Sequence, residues 1–331
     1  MSRPFRFFLL ALFLKFGTGN ELPPGAPPRQ DGDWLARQVD QRDTGKDARM
    51  TMRMRLFDRQ DRVRERALTL IALRGGPGRP VPGDRSLVRF TYPNDIKGTG
   101  FLVWEHPDAD DERFLYLPAL GRVRRIAASE AQESFVGSDF TYEDIGGRQL
   151  EDYTYRLIEE DGPTKAWQAP DGATHQVYTL ESRRRDAGAR FPRVISLVRA
   201  DNFVVVRAEI HNRRDELQKT FEAIRVEPTG AYWTTLEMRM TDALQRTRTE
   251  LAIERVDYDV GLTPDDFSRR ELASRVGDSL TIFRAGHPGW LRCSSLKYPR
   301  VFSLVAPCQP GAALRNLVAN PRLGTPERSG P

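Results

Sequence analysis

Cysteine is almost absent: Cys293 and Cys308 are the only two in 331 residues. Both lie in the C-terminal tail, so the body of the chain has neither a disulfide framework nor a thiolate metal site. In an oxidising compartment the two thiols either pair or stay separate. Histidine is scarce as well. His106, His175, His211 and His287 are scattered without a ligand spacing such as H-E-x-x-H, and each reads as a surface or strand-edge imidazole. No G-x-S-x-G elbow or Walker A sequence occurs, and no serine stands beside a recognisable base. Nothing local points to a catalytic triad.

Charge of one sign is missing too. Fifty-one Lys and Arg face 46 Asp and Glu, a formal +5 with a pI near 9.3, which by itself raises nucleic acid as a partner. The signs are too well mixed for that. Arg183, Arg184 and Arg185 form the densest basic cluster, yet Glu181 and Asp186 flank it, so a solvated loop is the expectation and no nucleic-acid partner. Asp108, Asp110, Asp111 and Glu112 offer oxygens suited to a hard cation but lack the glycine and downstream glutamate of an EF-hand loop. They read as a solvated hairpin tip, and neither a metal nor a cofactor is expected.

Long apolar runs are replaced by one short one. Phe7 to Leu14 follows Arg3 and Arg6 and stops at Lys15, the arrangement of a secretory signal. Eight residues at ~1.5 Å each reach roughly 12 Å, far less than the ~30 Å of a bilayer core. Residues 1–19 are therefore read as an export signal, 20–32 as a Pro/Gly-rich linker, 33–276 as one domain, and 277–331 as a weakly ordered tail.

What the domain has in abundance is strand periodicity. Asp33 is placed as the cap of a short helix over Trp34 to Asp40. From Met50 the period becomes two, with Met50, Met52, Met54 and Leu56 alternating against Thr51, Arg53 and Arg55. Asp58 to Asp61 forms the turn, and Arg62 to Leu73 returns with Arg62, Arg64 and Arg66 on the solvated side. About eleven further strand-like runs follow up to Tyr258, with few helices between them. Thr263-Pro264-Asp265-Asp266 looks like a helix start, with Phe267 and Leu272 on its buried side. A large antiparallel sheet or partial barrel follows.

Four strings carry a resemblance: KGTGFLVW from Lys97, YLPAL from Tyr116, RVRRI from Arg122, and SFVGSDFTYED from Ser134 to Asp144. Through them the chain resembles the outer-membrane lipoprotein-sorting proteins of the LolA-like superfamily, in the branch found with RND-type exporters. The likeness extends from about Trp34 to Leu272. It is loose between Asp161 and Arg199, and it departs from the pattern at Glu209-Ile210-His211-Asn212.

The resemblance implies a mainly β fold, a large antiparallel incomplete β-barrel whose concave side is covered by a few helices around an apolar cavity for acyl chains. Cavity candidates are then Phe101, Trp104, Tyr116, Phe135, Phe140, Tyr142, Trp233 and Met238, residue types that otherwise read as plain core. Arg124, Arg125, Asp139, Glu143 and Asp144 are expected to be structural or mouth-lining rather than catalytic. The implied protein is a non-enzymatic periplasmic carrier for lipid or lipoprotein acyl chains, with transient membrane contact and an RND-type transporter as a candidate partner. The alternative is a structural or regulatory accessory of such an exporter; an enzyme of lipid or envelope metabolism ranks third.

Overall fold

The computed structural model describes residues 30–159 and 162–274. The segments assigned above to a signal and a tail, most of the linker, and Cys293, Cys308 and His287 lie outside the described residues.

The chain opens with α1 (Gly32–Asp40) and then builds one antiparallel sheet from β1 (Asp47–Phe57), β2 (Val63–Leu73), β3 (Arg85–Tyr92), β4 (Gly100–Trp104), β5 (Glu112–Leu117), β6 (Arg122–Ile126), β7 (Tyr153–Leu157), β8 (Lys165–Gln168), β9 (Thr174–Arg184), β10 (Arg193–Arg199), β11 (Val205–His211), β12 (Leu217–Thr229), β13 (Tyr232–Asp242) and β14 (Thr247–Tyr258). Between β6 and β7 lies α2 (Tyr142–Gly146), and α3 (Arg269–Leu272) follows the last strand. The strand order is β6-β5-β4-β3-β2-β1-β14-β13-β12-β11-β10-β9-β7, with β8 also paired to β9. The sheet is not closed, so the expected incomplete barrel is what forms. The first and last strands meet in its middle, Met52 opposite Ile253 and Met54 opposite Leu251.

β1 behaves as its sequence demands: Met52, Met54 and Leu56 are buried while Thr51, Arg53 and Arg55 are exposed. β2 corrects the reading of one of its arginines. Arg62 and Arg64 are exposed as expected, together with Val63, but Arg66 is buried, because it pairs across from Met54 and its Nη1 donates to the Val136 carbonyl at 2.7 Å. α1 begins two residues earlier than expected. Asp31, not Asp33, is the cap, its carboxylate accepting from Trp34 N at 2.9 Å. Gly32 fits there because a Cβ would come within 2.5 Å of Arg156 N in β7.

The helix expected after Thr263 divides into a 3-10 turn (Pro264–Phe267) and α3, with Ser268 extended between them. Phe267 and Leu272 are fully buried, as the spacing predicts. Their face is the opposite of the expected one. They pack with Leu87, Leu102 and Phe114, the strand residues that alternate with those of the inner core, so α3 covers the outer face rather than the concave one. Gly100 makes room for it, since a Cβ there would sit 2.6 Å from Leu272 Cδ1. Two elements escaped the sequence reading. β8 is a four-residue, mostly exposed edge strand, too short to show a period. α2 is a single helical stretch capped by Thr141 and Asp144.

Candidate functional site

The inner face of the sheet is set by pairing. Met50, Met52 and Met54 of β1 lie beside Leu68 and Leu70 of β2 on one side, and beside Leu251 and Ile253 of β14 on the other. Onto this face folds the connection between β6 and β7, residues 127–152. Its aromatic side chains form a stack: Phe135 lies 5.8 Å from Phe90, 5.5 Å from Phe101 and 5.7 Å from Tyr142. Val136 at φ 49° and Gly137 at φ 73° reverse the chain, and Phe135 N donates to Phe140 O at 2.8 Å. A β-branched residue in the left-handed region costs roughly 1–3 kcal/mol and persists only where its surroundings impose it. Here the Arg66 hydrogen bond to the Val136 carbonyl is part of that imposition.

The connection is fastened at both ends. Asp139 accepts from Thr247 Oγ1 at 2.5 Å and Thr249 Oγ1 at 2.7 Å, and its carbonyl accepts from Lys219 Nζ at 2.5 Å. At the far end Arg113 Nη2 donates to Gly147 O at 3.2 Å and to Asp111 at 2.7 Å, while Gln149 Nε2 donates to Asp111 and to Ala109 O. Asp111 is therefore buried, which corrects the reading of that turn as wholly solvated. Between the two ends, Glu143 is 4% exposed and its carboxylate accepts from Arg184 Nη1 at 2.7 Å and from Tyr153 OH at 2.7 Å. Arg184 also reaches Asp152 at 3.0 Å. Arg183 and Arg184 are the last residues of β9, not a solvated loop; the partner Glu143 arrives from 41 positions away, so no local signal foretells it. His211 departs from its expectation likewise. It is buried within the sheet, with Nδ1 3.1 Å from Asp215 O.

Two cavities remain between this connection and the sheet, of about 410 and 390 Å³. The first is walled by Leu180, Val205, Ala208, Ile210 and Met240, with Ala36 and Val39 of α1. The second is walled by the β1 methionines with Leu68, Leu70 and Val88. Asp144, Ile145, Gly147 and Met238 line both, so α2 is the partition. Volumes of this size are those of small-molecule sites. Methionine walls adapt to irregular apolar shapes.

Of the expected cavity residues, Phe135, Phe140 and Met238 line these spaces, and Trp233 stands at the edge of the second with its ring 4.8 Å from the Arg199 guanidinium. Phe101 and Tyr142 are buried in the aromatic stack behind them. Trp104 and Tyr116 belong to the outer cluster, where Trp104 Nε1 donates to Phe267 O at 2.7 Å. Among the five charged residues, Arg124 pairs with Glu130 at 2.7 Å and Arg125 reaches Glu112 at 3.8 Å, both on the exposed edge. Glu143 and Asp144 face the first cavity. Burial alone would raise the Asp144 carboxyl, but Arg148 at 2.6 Å and the hydrogen bonds of Thr141 outweigh it and hold it below the usual range. Two charged cavity-lining side chains absent from the sequence expectation are Arg148 and Glu105. Arg148 lines the first cavity two residues beyond the end of α2, at an i,i+4 spacing from Asp144 that is readable in the sequence.

Glu105 lines the second cavity beside Gly147, where a Cβ would stand 2.4 Å from its Oε1. Burial pushes its carboxyl up to about 8, Asp84, Asp111 and Asp40 add to the rise, and Arg74 opposes it. A raised folded-state value means that the stability tied to the proton is full below the unfolded value of 4.5 and is lost as pH climbs through about 8. Since one unit is worth about 1.4 kcal/mol, the melting temperature of the parent is expected to fall by several degrees across that window. Glu105→Gln should show a flatter profile between the same limits; identical profiles for the two proteins would contradict the assignment.

Among the described residues no group of His, Cys, Asp and Glu is placed to hold a metal ion, and no helix is long and apolar enough to cross a membrane.

Comparison with known proteins agrees with this architecture. A family model described only as "Uncharacterized protein" matches residues 82–274. No curated protein matches. Among solved structures, a putative outer membrane lipoprotein-sorting protein domain from Vibrio parahaemolyticus is similar at 28% identity and a TM-score of 0.65, covering 73% of this chain and 98% of that one. A DUF1329 family protein from Desulfovibrio piger is 30% identical with a TM-score of 0.64, covering 73% and 97%. A LolA superfamily protein from Nitrosomonas europaea shares the fold at 15% identity and a TM-score of 0.56, covering 73% and 99%.

Proposed function

The chain belongs to the DUF1329 family, with a LolA-like fold, and from that premise we propose that it is a periplasmic carrier for the acyl chains of lipids or lipoproteins. The observation that carries the reading is the pair of mainly apolar cavities, about 410 and 390 Å³, held between the inner face of the sheet and the β6–β7 connection. The likeness to a protein described as lipoprotein-sorting supports the choice of ligand class.

The mechanism is partition, in which no bond is made or broken. Burial of methylenes contributes about 0.8 kcal/mol each, so a sixteen-carbon chain brings roughly 12 kcal/mol before the costs of ordering are subtracted. The methionine and leucine walls receive the tail, and Ile145 and Met238 at the partition decide whether one chain occupies both spaces or two chains take one each. Release follows when an acceptor offers a drier or larger apolar surface. An export signal at residues 1–19 is part of this proposal, because the ligand traffic it implies lies outside the cytoplasm.

The test is uptake of a fluorescent fatty acid by the purified protein. Saturation near one or two probes per chain, with displacement by unlabelled lipid, is the expected result. Absence of saturable uptake by a folded sample would remove the carrier reading.

A further inference from the structure

Large apolar side chains left in water are few, and their placement is uneven. Of the six among the described residues, five stand at one end of the strands: Val63 opens β2, Tyr92 ends β3, Leu120 lies between β5 and β6, Leu217 opens β12, and Leu244 lies between β13 and β14. Because neighbouring strands run antiparallel, these positions all belong to the same end of the sheet. Val260, beyond the end of β14, is at the other. The turns that carry Val63, Leu217 and Leu244 are linked by contacts at this end. Arg248 meets Asp61 of the β1–β2 turn at 2.6 Å, Ala243 N donates to Gln218 O at 2.8 Å, and Arg213 Nε donates to Ala189 O at 3.0 Å.

Leu217 and Leu244 therefore sit on adjacent turns, and beside them opens a polar cleft of about 600 Å³. Arg190, Arg213 and Arg214 line it. Arg190 is paired with Glu133 at 3.1 Å, but Arg213 spends its hydrogen bonds on the carbonyls of Gly188 and Ala189. Among the described residues neither Arg213 nor Arg214 has a carboxylate within ion-pair distance. Both are exposed. At the opposite end of the strands the β4–β5 turn holds Glu105, Asp108, Asp110 and Asp111 and no Lys or Arg, and the neighbouring β2–β3 connection sets Arg74 and Arg79 against Asp84, with Arg74 paired to Asp84 at 2.6 Å.

We propose that this end of the sheet docks on a lipid bilayer bearing anionic headgroups, with Leu217 and Leu244 entering the headgroup boundary and Arg213 and Arg214 meeting phosphates. Exposed leucines next to arginines without an ion-pair partner are the pairing that an anionic interface favours: the neighbouring Asp215 is held by Arg193 at 3.1 Å and Glu216 by Asn212 at 3.0 Å, and the acidic turn at the far end is repelled from the same surface. The cavity-lining Asp47, Asp84 and Glu105 lie at that far end, clear of the bilayer. The inference goes beyond the carrier reading and does not rest on it.

Flotation of the full chain with vesicles tests it, using phosphatidylcholine alone and phosphatidylcholine with one third phosphatidylglycerol. Binding is expected only to the anionic vesicles and should weaken as salt rises. Leu217→Asp with Leu244→Asp, and separately Arg213→Glu with Arg214→Glu, should each lower it by about tenfold or more, whereas Val260→Asp should leave it unchanged. All five positions are exposed, so melting curves near the parent's are expected. Inorganic phosphate at millimolar concentration should not compete. Equal binding by parent and variants, equal loss with Val260→Asp, or capture of free phosphate without vesicle binding would each overturn the proposal. Fluorescent fatty acid uptake by the same variants should be unaltered, which separates failure of docking from failure of the carrier reading.

Discussion

Replacing Arg184 with Met is expected to cost about 3–5 kcal/mol of stability, because it strands the Glu143 carboxylate in the protein interior. Glu143 is 4% exposed and Arg184 supplies hydrogen bonds to both of its oxygens at 2.7 Å, with the Arg184 side chain itself only 13% exposed. For a domain of this size that corresponds to a fall in melting temperature of roughly 6–20 °C. Tyr153 OH alone cannot replace a guanidinium as the partner of a charge. The double change Glu143→Gln with Arg184→Met should recover most of the loss, since it leaves neither member of this pair buried without its partner. A single-variant loss below about 1 kcal/mol, measured by denaturant or thermal unfolding, would show that the β6–β7 connection is not held to the sheet by this pair.

The second large effect concerns the partition between the cavities. Met238→Glu places a carboxylate on the wall common to both spaces, where an acyl chain offers it no partner. Affinity for a fluorescent fatty acid should drop by about a hundredfold or more, a loss of roughly 2.7 kcal/mol. Met238 is only partly buried, so the fold should survive the change. Trp104→Leu supplies the contrast. It removes the hydrogen bond to Phe267 O and the edge contact with Phe114 at 5.2 Å on the outer face, so it should lower the melt and leave fatty acid binding as in the parent. Unchanged binding in Met238→Glu, or lost binding in a folded Trp104→Leu, would reverse the assignment of the two faces.

These two pairs also mark where the sequence is legible and where it is not. Alternation in β1 announces a half-buried strand, and the methionines fall on the inner face as their period requires. Arg66 breaks the analogous reading of β2: a run of alternating arginines looks solvated, yet its inward member finds a carbonyl at Val136, seventy positions on. Glu143 and Arg184 have the same character, a buried pair made by distant segments. For α2 the signal was present, since Thr141-x-x-Asp144 is a capping box, but it lay inside a string read as a family motif rather than for its own chemistry. The split of the expected aromatic set follows from period two. Phe101 and Trp104 are three residues apart in one strand, an odd spacing that sends them to opposite faces. The cavities themselves are invisible locally, because each wall joins strands as far apart in the chain as Met52 and Ile253.

The central claim, that the inner spaces hold acyl chains, is tested most directly by native mass spectrometry of the protein drawn gently from cells expressing it. The account predicts an added mass equal to one lipid, or one lipid-bearing peptide, that disappears on exchange with excess fatty acid. A uniformly ligand-free protein that also fails to gain mass when lipid is supplied would contradict it.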